Sequence, residues 1–144
     1  MNALINSSEM PENFQKLLES VLSEKPDGIF NVELINSEYC AESLGIKPTR
    51  IHVRKQDELF QLQCLSSLSY VYQQGTPVLK ESERLSVIAD DSFVSGTVKY
   101  HIDADPMASR IIKNKLAVIA GFFSEGLYDS YNVSEQDMLA VEVA

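Results

Sequence analysis

The chain has 144 residues with 12 basic and 21 acidic side chains, a net charge of −9. That balance argues against broad coating of nucleic acid or anionic membrane, since both are held mainly by cations. No apolar run approaches the roughly 18–20 residues of a membrane-spanning helix. A hydrophobic content of 44% and a charged content of 23% are those of a globular chain, so one domain over 1–144 is expected, with 1–7 as a loose tail. The opening MNALINSSEM has neither the basic nor the apolar region of a secretory signal, which points to a cytoplasmic protein. In that compartment Cys40 and Cys64 read as two buried, reduced thiols.

From Ser8 to Glu24 the apolar residues Phe14, Leu17, Leu18, Val21 and Leu22 recur at helical spacing, with Ser8 as cap, Pro11 in the first turn and Lys25–Gly28 as the stop. Ile29–Ile35 is short, β-branched and bounded by Gly28 and Asn36, and predicts a strand. Ser37–Leu44 suits a short helix ended by Gly45. Beyond Pro48, Ile51 and Val53 alternate with Arg50, His52 and Arg54, the period of a half-exposed strand with a basic outer face. Over Asp57–Gln74 two patterns compete. Leu59, Leu62, Leu65 and Leu68 suit one helix face; Phe60, Leu62, Cys64, Leu68, Tyr70 and Tyr72 suit one strand face. Eighteen residues are long for a strand, so helix is the expectation. Leu85–Ala89 and Thr97–Asp103 then predict an antiparallel pair.

The strongest signal is Asp103–Gly126. Asp105 can cap the first free N–H groups, Pro106 fits the first helical position, and Ile112, Leu116, Ile119 and Phe123 form an apolar stripe. Ala117 and Gly121 share a side where another backbone can approach, and the adjacent Phe122 and Phe123 give more apolar surface than one stripe needs. These four residues are the expected partner-binding set. After Gly126 the end of the chain suits either a helix capped by Ser134 or a strand through Leu139, Val141 and Val143.

Four of the twelve basic residues, Lys47, Arg50, Arg54 and Lys55, fall in one short stretch. Around them, Ala41, Leu44, Gly45, Ile46 and Ile51 occupy the small, apolar and turn positions of a helix-turn-helix, and residues 37–55 resemble that motif. The resemblance implies a DNA-binding regulator, with Lys47, Thr49, Arg50, Arg54 and Lys55 facing phosphates or base edges. The competing strand pattern of Ile51 and Val53 implies no such helix.

His101, Asp103 and Asp105 form H-x-D-x-D at a strand end, which resembles the His-x-carboxylate part of the non-haem iron oxygenase site. That site needs a further downstream His, and none follows, so no metal and no cofactor is expected. A small-ligand or enzymatic site near His101 and Asp103 stays open as an alternative. No nucleophile motif or phosphate loop occurs, so no catalytic residue is assigned.

The expected fold is α+β in two layers: a small antiparallel sheet against a long C-terminal helix and an N-terminal helix. In size, acidity and order of elements this is similar to the small acidic secretion chaperones. The leading expectation is a non-catalytic cytoplasmic protein-binding module, a chaperone, adaptor, inhibitor or immunity-type regulator, whose partner is another protein and which could form a homodimer.

Overall fold

The computed structural model describes residues 10–40, 45–89, 92–102 and 104–136. In chain order it contains α1 (Glu12–Leu22), β1 (Gly28–Ile35), β2 (Thr49–Gln56), β3 (Leu59–Gln73), β4 (Thr76–Ala89), β5 (Ser92–Ser95), β6 (Val98–His101), α2 (Pro106–Ser124) and β7 (Ser130–Gln136). All strand pairs are antiparallel, in the order β6-β5-β4-β3-β2-β1-β7. The expectation of a small sheet dominated by a long helix is therefore wrong. The molecule is mostly a seven-stranded antiparallel sheet that carries two helices.

The largest correction lies at Asp57–Gln74, where Leu59–Gln73 is strand rather than helix. The pairing of β2 with β3 is irregular between His52 and Val53: His52 opposes Cys64, whereas Val53 opposes Leu62, which leaves Gln63 as an extra residue. A bulge of this kind turns the rest of the strand over. Leu62 and Leu65 thus face the same way although three residues apart, and Cys64, Leu68 and Tyr70 face the other. The resulting three-residue spacing of leucines imitates a helix.

Other boundaries shift for simpler reasons. The strand expected at Leu85–Ala89 is the end of β4, which begins at Thr76, and it pairs with the intervening strand Ser92–Ser95 rather than with the strand expected at Thr97–Asp103. Pro11 is the N-cap of α1, with its carbonyl accepting from the Phe14 and Gln15 amides; Ser8 lies outside the described residues. Residues 36–39 form a turn rather than the start of a helix, with the Tyr39 amide donating to the Asn36 carbonyl over 3.1 Å. The final strand comes earlier than expected, at Ser130–Gln136, while Leu139, Val141 and Val143 lie outside the described residues. The α2 start is as read: the Asp105 carboxylate accepts from the Met107 amide over 2.9 Å, with Pro106 next.

Both helices pack on one face of the sheet. Phe14, Leu18 and Leu22 of α1 and Ile112 and Leu116 of α2 join Phe30, Val32, Ile51, Val53, Leu62 and Leu85 in a single buried core. Removing such side chains from water is the main stabilising term, about 1.5–3 kcal/mol for each large one. The opposite face presents Asn31 and Glu33 of β1 beside His52 and Arg50 of β2, and Ile29, Cys64 and Leu68 are buried there outside the main core.

Two hairpins turn through two residues in the left-handed region, Asp57-Glu58 (φ 53° and 66°) and Gln74-Gly75 (φ 54° and 81°). That geometry matches strand twist but suits glycine in its second position. Glu58 has no such freedom, at a cost of roughly 1–2 kcal/mol. Glu58→Gly should raise the unfolding free energy by about 0.5 kcal/mol, the relief being partly offset by glycine's entropy in the unfolded chain. Glu58→Val should lower it by about 1 kcal/mol or more, since a β-branched residue is less tolerant still. Urea titrations of both variants check the pair.

Candidate functional site

The five basic-stretch residues expected to meet nucleic acid do not share a surface. Thr49–Gln56 is extended strand, so the recognition helix of the helix-turn-helix does not exist; Ala41 and Leu44 of that pattern lie outside the described residues. Strand alternation then divides the set. Arg50 and Arg54 point to the open face of the sheet, where Arg50 pairs with the Glu33 carboxylate over 3.1 Å. Thr49 and Lys55 point under the helices and are buried.

Lys55 has a structural task there. Its Nζ donates to the Leu22 carbonyl over 2.9 Å and to the Lys25 carbonyl over 2.8 Å. The last turn of α1 has no basic residue of its own, so a lysine from β2 supplies a charged donor to the carbonyls at the helix end, that of Leu22 accepting from the Lys25 amide as well, and complements its dipole.

The expected partner set on α2 is seated as follows. Phe122 lies edge-on to Tyr128, with ring centroids 6.4 Å apart, and Phe123 packs against Tyr131 at 6.3 Å. Both phenylalanines are half-buried. The Ala117 carbonyl accepts from Asn13 Nδ2 of α1 over 3.3 Å. Among the described residues, no atom outside its own helix and chain neighbours lies within 4 Å of where a Cβ at Gly121 would sit, so no close approach of described backbone requires its glycine.

Between α2 and strands β2–β4 lies a cleft of about 560 Å³. It exists because β3 places the small Ser67, opposite Thr49, where larger side chains fill the rest of the gap between helix and sheet. Leu65 and Leu85, directly opposed across β3 and β4, form its floor. Ile111, Val118 and Phe122 of α2 form its wall. At one end the Thr49 and Tyr128 hydroxyls hydrogen-bond over 2.9 Å. Burial raises the Tyr128 pKa, against a smaller opposing effect of the Thr49 hydrogen bond, so the phenol stays protonated. The loop bearing Tyr128 is tied down on both sides: Asn36 Nδ2 donates to the Leu127 carbonyl over 2.6 Å, and Ser37 donates to Asp129 through its amide and its hydroxyl. Those bonds lower the Asp129 pKa, the hydroxyl contributing most. Of the cleft residues, Lys47, Thr49 and Phe122 are visible as candidates in the sequence. Leu65, Leu85 and Tyr128 are not, because only long-range pairing brings them there.

The alternative site near His101 and Asp103 is less developed. His101 is exposed on edge strand β6, Asp105 is committed to capping α2, and Asp103 lies outside the described residues. Among the described residues, no three His, Cys, Asp or Glu side chains are grouped to hold a metal. The cysteines are both free; Cys64 is buried but Cys40 is exposed, contrary to the expectation of two buried thiols. Burial dominates at Cys64 and holds its thiol above the usual range.

No protein-family model matches the sequence, and no curated protein matches it significantly. Two solved structures from Vibrio cholerae share its fold. The hypothetical protein VC0508 of the VSP-II pathogenicity island superposes with a TM-score of 0.64 at 12% identity, over 88% of this chain and 95% of that one. The conserved hypothetical protein VC1805 of pathogenicity island VPI-2 gives 0.57 at 19% identity, over 88% and 96%. The VC1805 structure is described as sharing structural homology with the human P32 protein. At these identities the likeness is one of fold alone. No helix of the described residues is long and apolar enough to cross a membrane.

Two predictions follow from the buried basic groups. Lys55→Met leaves two carbonyls without their charged donor and should cost about 2–3 kcal/mol in urea unfolding, whereas Arg54→Gln, on the open face, should stay within about 0.5 kcal/mol. His52 Nε2 is buried without a hydrogen-bond partner among the described residues, and burial, then the Arg84 charge, lowers its pKa from the ordinary 6.5. Below pH 6.5 the unfolded chain takes up this proton first, so stability present above that pH is lost on acidification until folded His52 itself titrates. His52→Gln should flatten this part of the stability profile, measured as urea midpoints at about pH 7.5, 6.5 and 5.5, the range spanned by the ordinary histidine titration.

Proposed function

We propose that this is a non-catalytic cytoplasmic protein-binding module whose contact element is the outer half of the β3–β4 hairpin. The observation that carries the proposal is a ribbon with exposed apolar side chains that, among the described residues, has no further strand paired along either edge. The β2 partners of β3 end at Ser67, and the β5 partners of β4 begin at Leu85. Among the described residues, Leu68–Gln73 and Thr76–Glu81 therefore pair only with each other.

A two-stranded ribbon cannot bury its own side chains and is marginal in water by itself. This one has Val71 opposite Val78 on one side, and Tyr70 opposite Leu79 and Tyr72 opposite Pro77 on the other. Tyr72 is 59% exposed, and Val71 and Leu79 are exposed as well. Scattered apolar residues are ordinary on a surface, but several on one free-standing ribbon mark a contact site. The root of the ribbon is stiffened: Tyr39 stacks on Tyr70 at 5.4 Å, and its hydroxyl accepts from the Tyr70 amide over 3.2 Å. A braced arm loses less conformational freedom on docking than a loose one. Its partner is another protein that lays an apolar surface or an added strand along the arm.

A photo-crosslinking residue at position 72 tests this. In extract of the native cell, or in pure protein if the partner is a second copy, it should give a discrete adduct. The same group at exposed position 107 on α2 should give none. Equal labelling from the two positions, or none from position 72, would contradict the proposal.

A further inference from the structure

The cleft under α2 has a charge pattern that the rest of the chain does not share. In a protein with 21 acidic and 12 basic residues, the residues around this cleft include Lys47, Arg84 and Lys115 but a single acidic one, Glu83; the Arg84 side chain itself turns to the open face of the sheet, beside His52 and Cys64. Two of the three cations are already engaged. Lys115 Nζ pairs with Glu83 over 3.6 Å, and the Arg84 guanidinium donates to Glu81 over 3.2 Å and to the Ser86 hydroxyl over 2.9 Å. Lys47 is exposed and makes no hydrogen bond or ion pair among the described residues.

The hydroxyl pair points to the same kind of ligand group. Thr49 and Tyr128 have two O–H hydrogens between them, and their mutual bond uses one. The other remains available to an acceptor. Since Tyr128 stays protonated, the pair offers a donor rather than a second negative charge. An ammonium without a partner among the described residues and a spare hydroxyl donor, both on the lining of a cleft with an apolar floor and wall, match an anionic head on an apolar body. Charge-assisted hydrogen bonds to such a head are about twice as strong as neutral ones.

We infer that the cleft between α2 and strands β2–β4 is a binding site for a small amphipathic anion, an apolar aliphatic or aromatic body bearing one carboxylate or sulfonate. The body lies along Leu65, Leu85, Val118 and Phe122, and the head is held by Lys47 and the Thr49–Tyr128 hydroxyls. A volume of about 560 Å³ is in the range of small-molecule sites. This site is separate from the hairpin arm, and neither proposal rests on the other.

Two fluorescent probes with one apolar body separate charge from greasiness: anilinonaphthalene sulfonate, which carries the anionic head, and neutral N-phenylnaphthylamine. Titrated into the whole protein, the sulfonate should bind at one site about tenfold more tightly than its neutral counterpart. Lys47→Gln should weaken the sulfonate about tenfold and leave the neutral probe within about twofold, a change that one charge-assisted contact can supply. Lys47 is exposed, so this variant leaves the fold intact. Val118→Asp, a surface change on the cleft wall, should weaken both probes, and decanoate should displace the sulfonate where decanol does not. Equal affinity for the two probes, or no effect of Lys47→Gln, would overturn the anion site. Unaltered sulfonate binding to Val118→Asp would place the probe elsewhere and overturn it equally.

Discussion

A strand that changes faces partway along its length governs the rest of this molecule. In β3 the extra residue Gln63 turns Cys64, Leu68 and Tyr70 away from the helices while Leu62 and Leu65 stay beneath them. The sheet thereby gains a core face that ends at Leu65 and Leu85, with small residues beyond. Everything past that point is either cleft or arm. A second irregularity, between Ser67 and Leu68, falls where β3 leaves its β2 partner and the ribbon begins. Bulges bend and twist a strand locally, and here they mark the boundary between the part of the sheet that has a core and the part that has none.

The same feature explains what could and could not be read from the residues. The α2 helix declares itself because its signals are local: Asp105 and Pro106 at the start, and a regular apolar stripe behind them. The β1 and β2 strands alternate cleanly, so their faces follow directly, including the basic outer side of β2. In β3 the alternation is broken by the bulge, and a run of leucines three apart imitates a helix. The short strand β5 and the polar strand β7 (SYNVSEQ) have too little apolar pattern to be seen at all. Their pairing is decided by the strands beside them.

The basic stretch from Lys47 to Lys55 shows how composition misleads when the backbone period is unknown. As a cluster it looks like one surface. As an extended segment it is two, and each residue has a different neighbour: Glu33 for Arg50, Tyr128 for Thr49, the end of α1 for Lys55. A lysine chosen for its charge turns out to hold a helix terminus through a contact thirty-three positions away in the chain.

The order of the strands also has a kinetic side. From β1 to β6 each strand lies beside the one that precedes it, so the chain can close that meander hairpin by hairpin. The last strand instead returns to the far edge, where Gln136 meets Ile29 across more than a hundred residues of chain. Closing so large a loop is favourable only once the intervening structure has brought its ends near, and such distant contacts slow folding. The β1 edge therefore stays open until late, an unprotected template in the nascent chain.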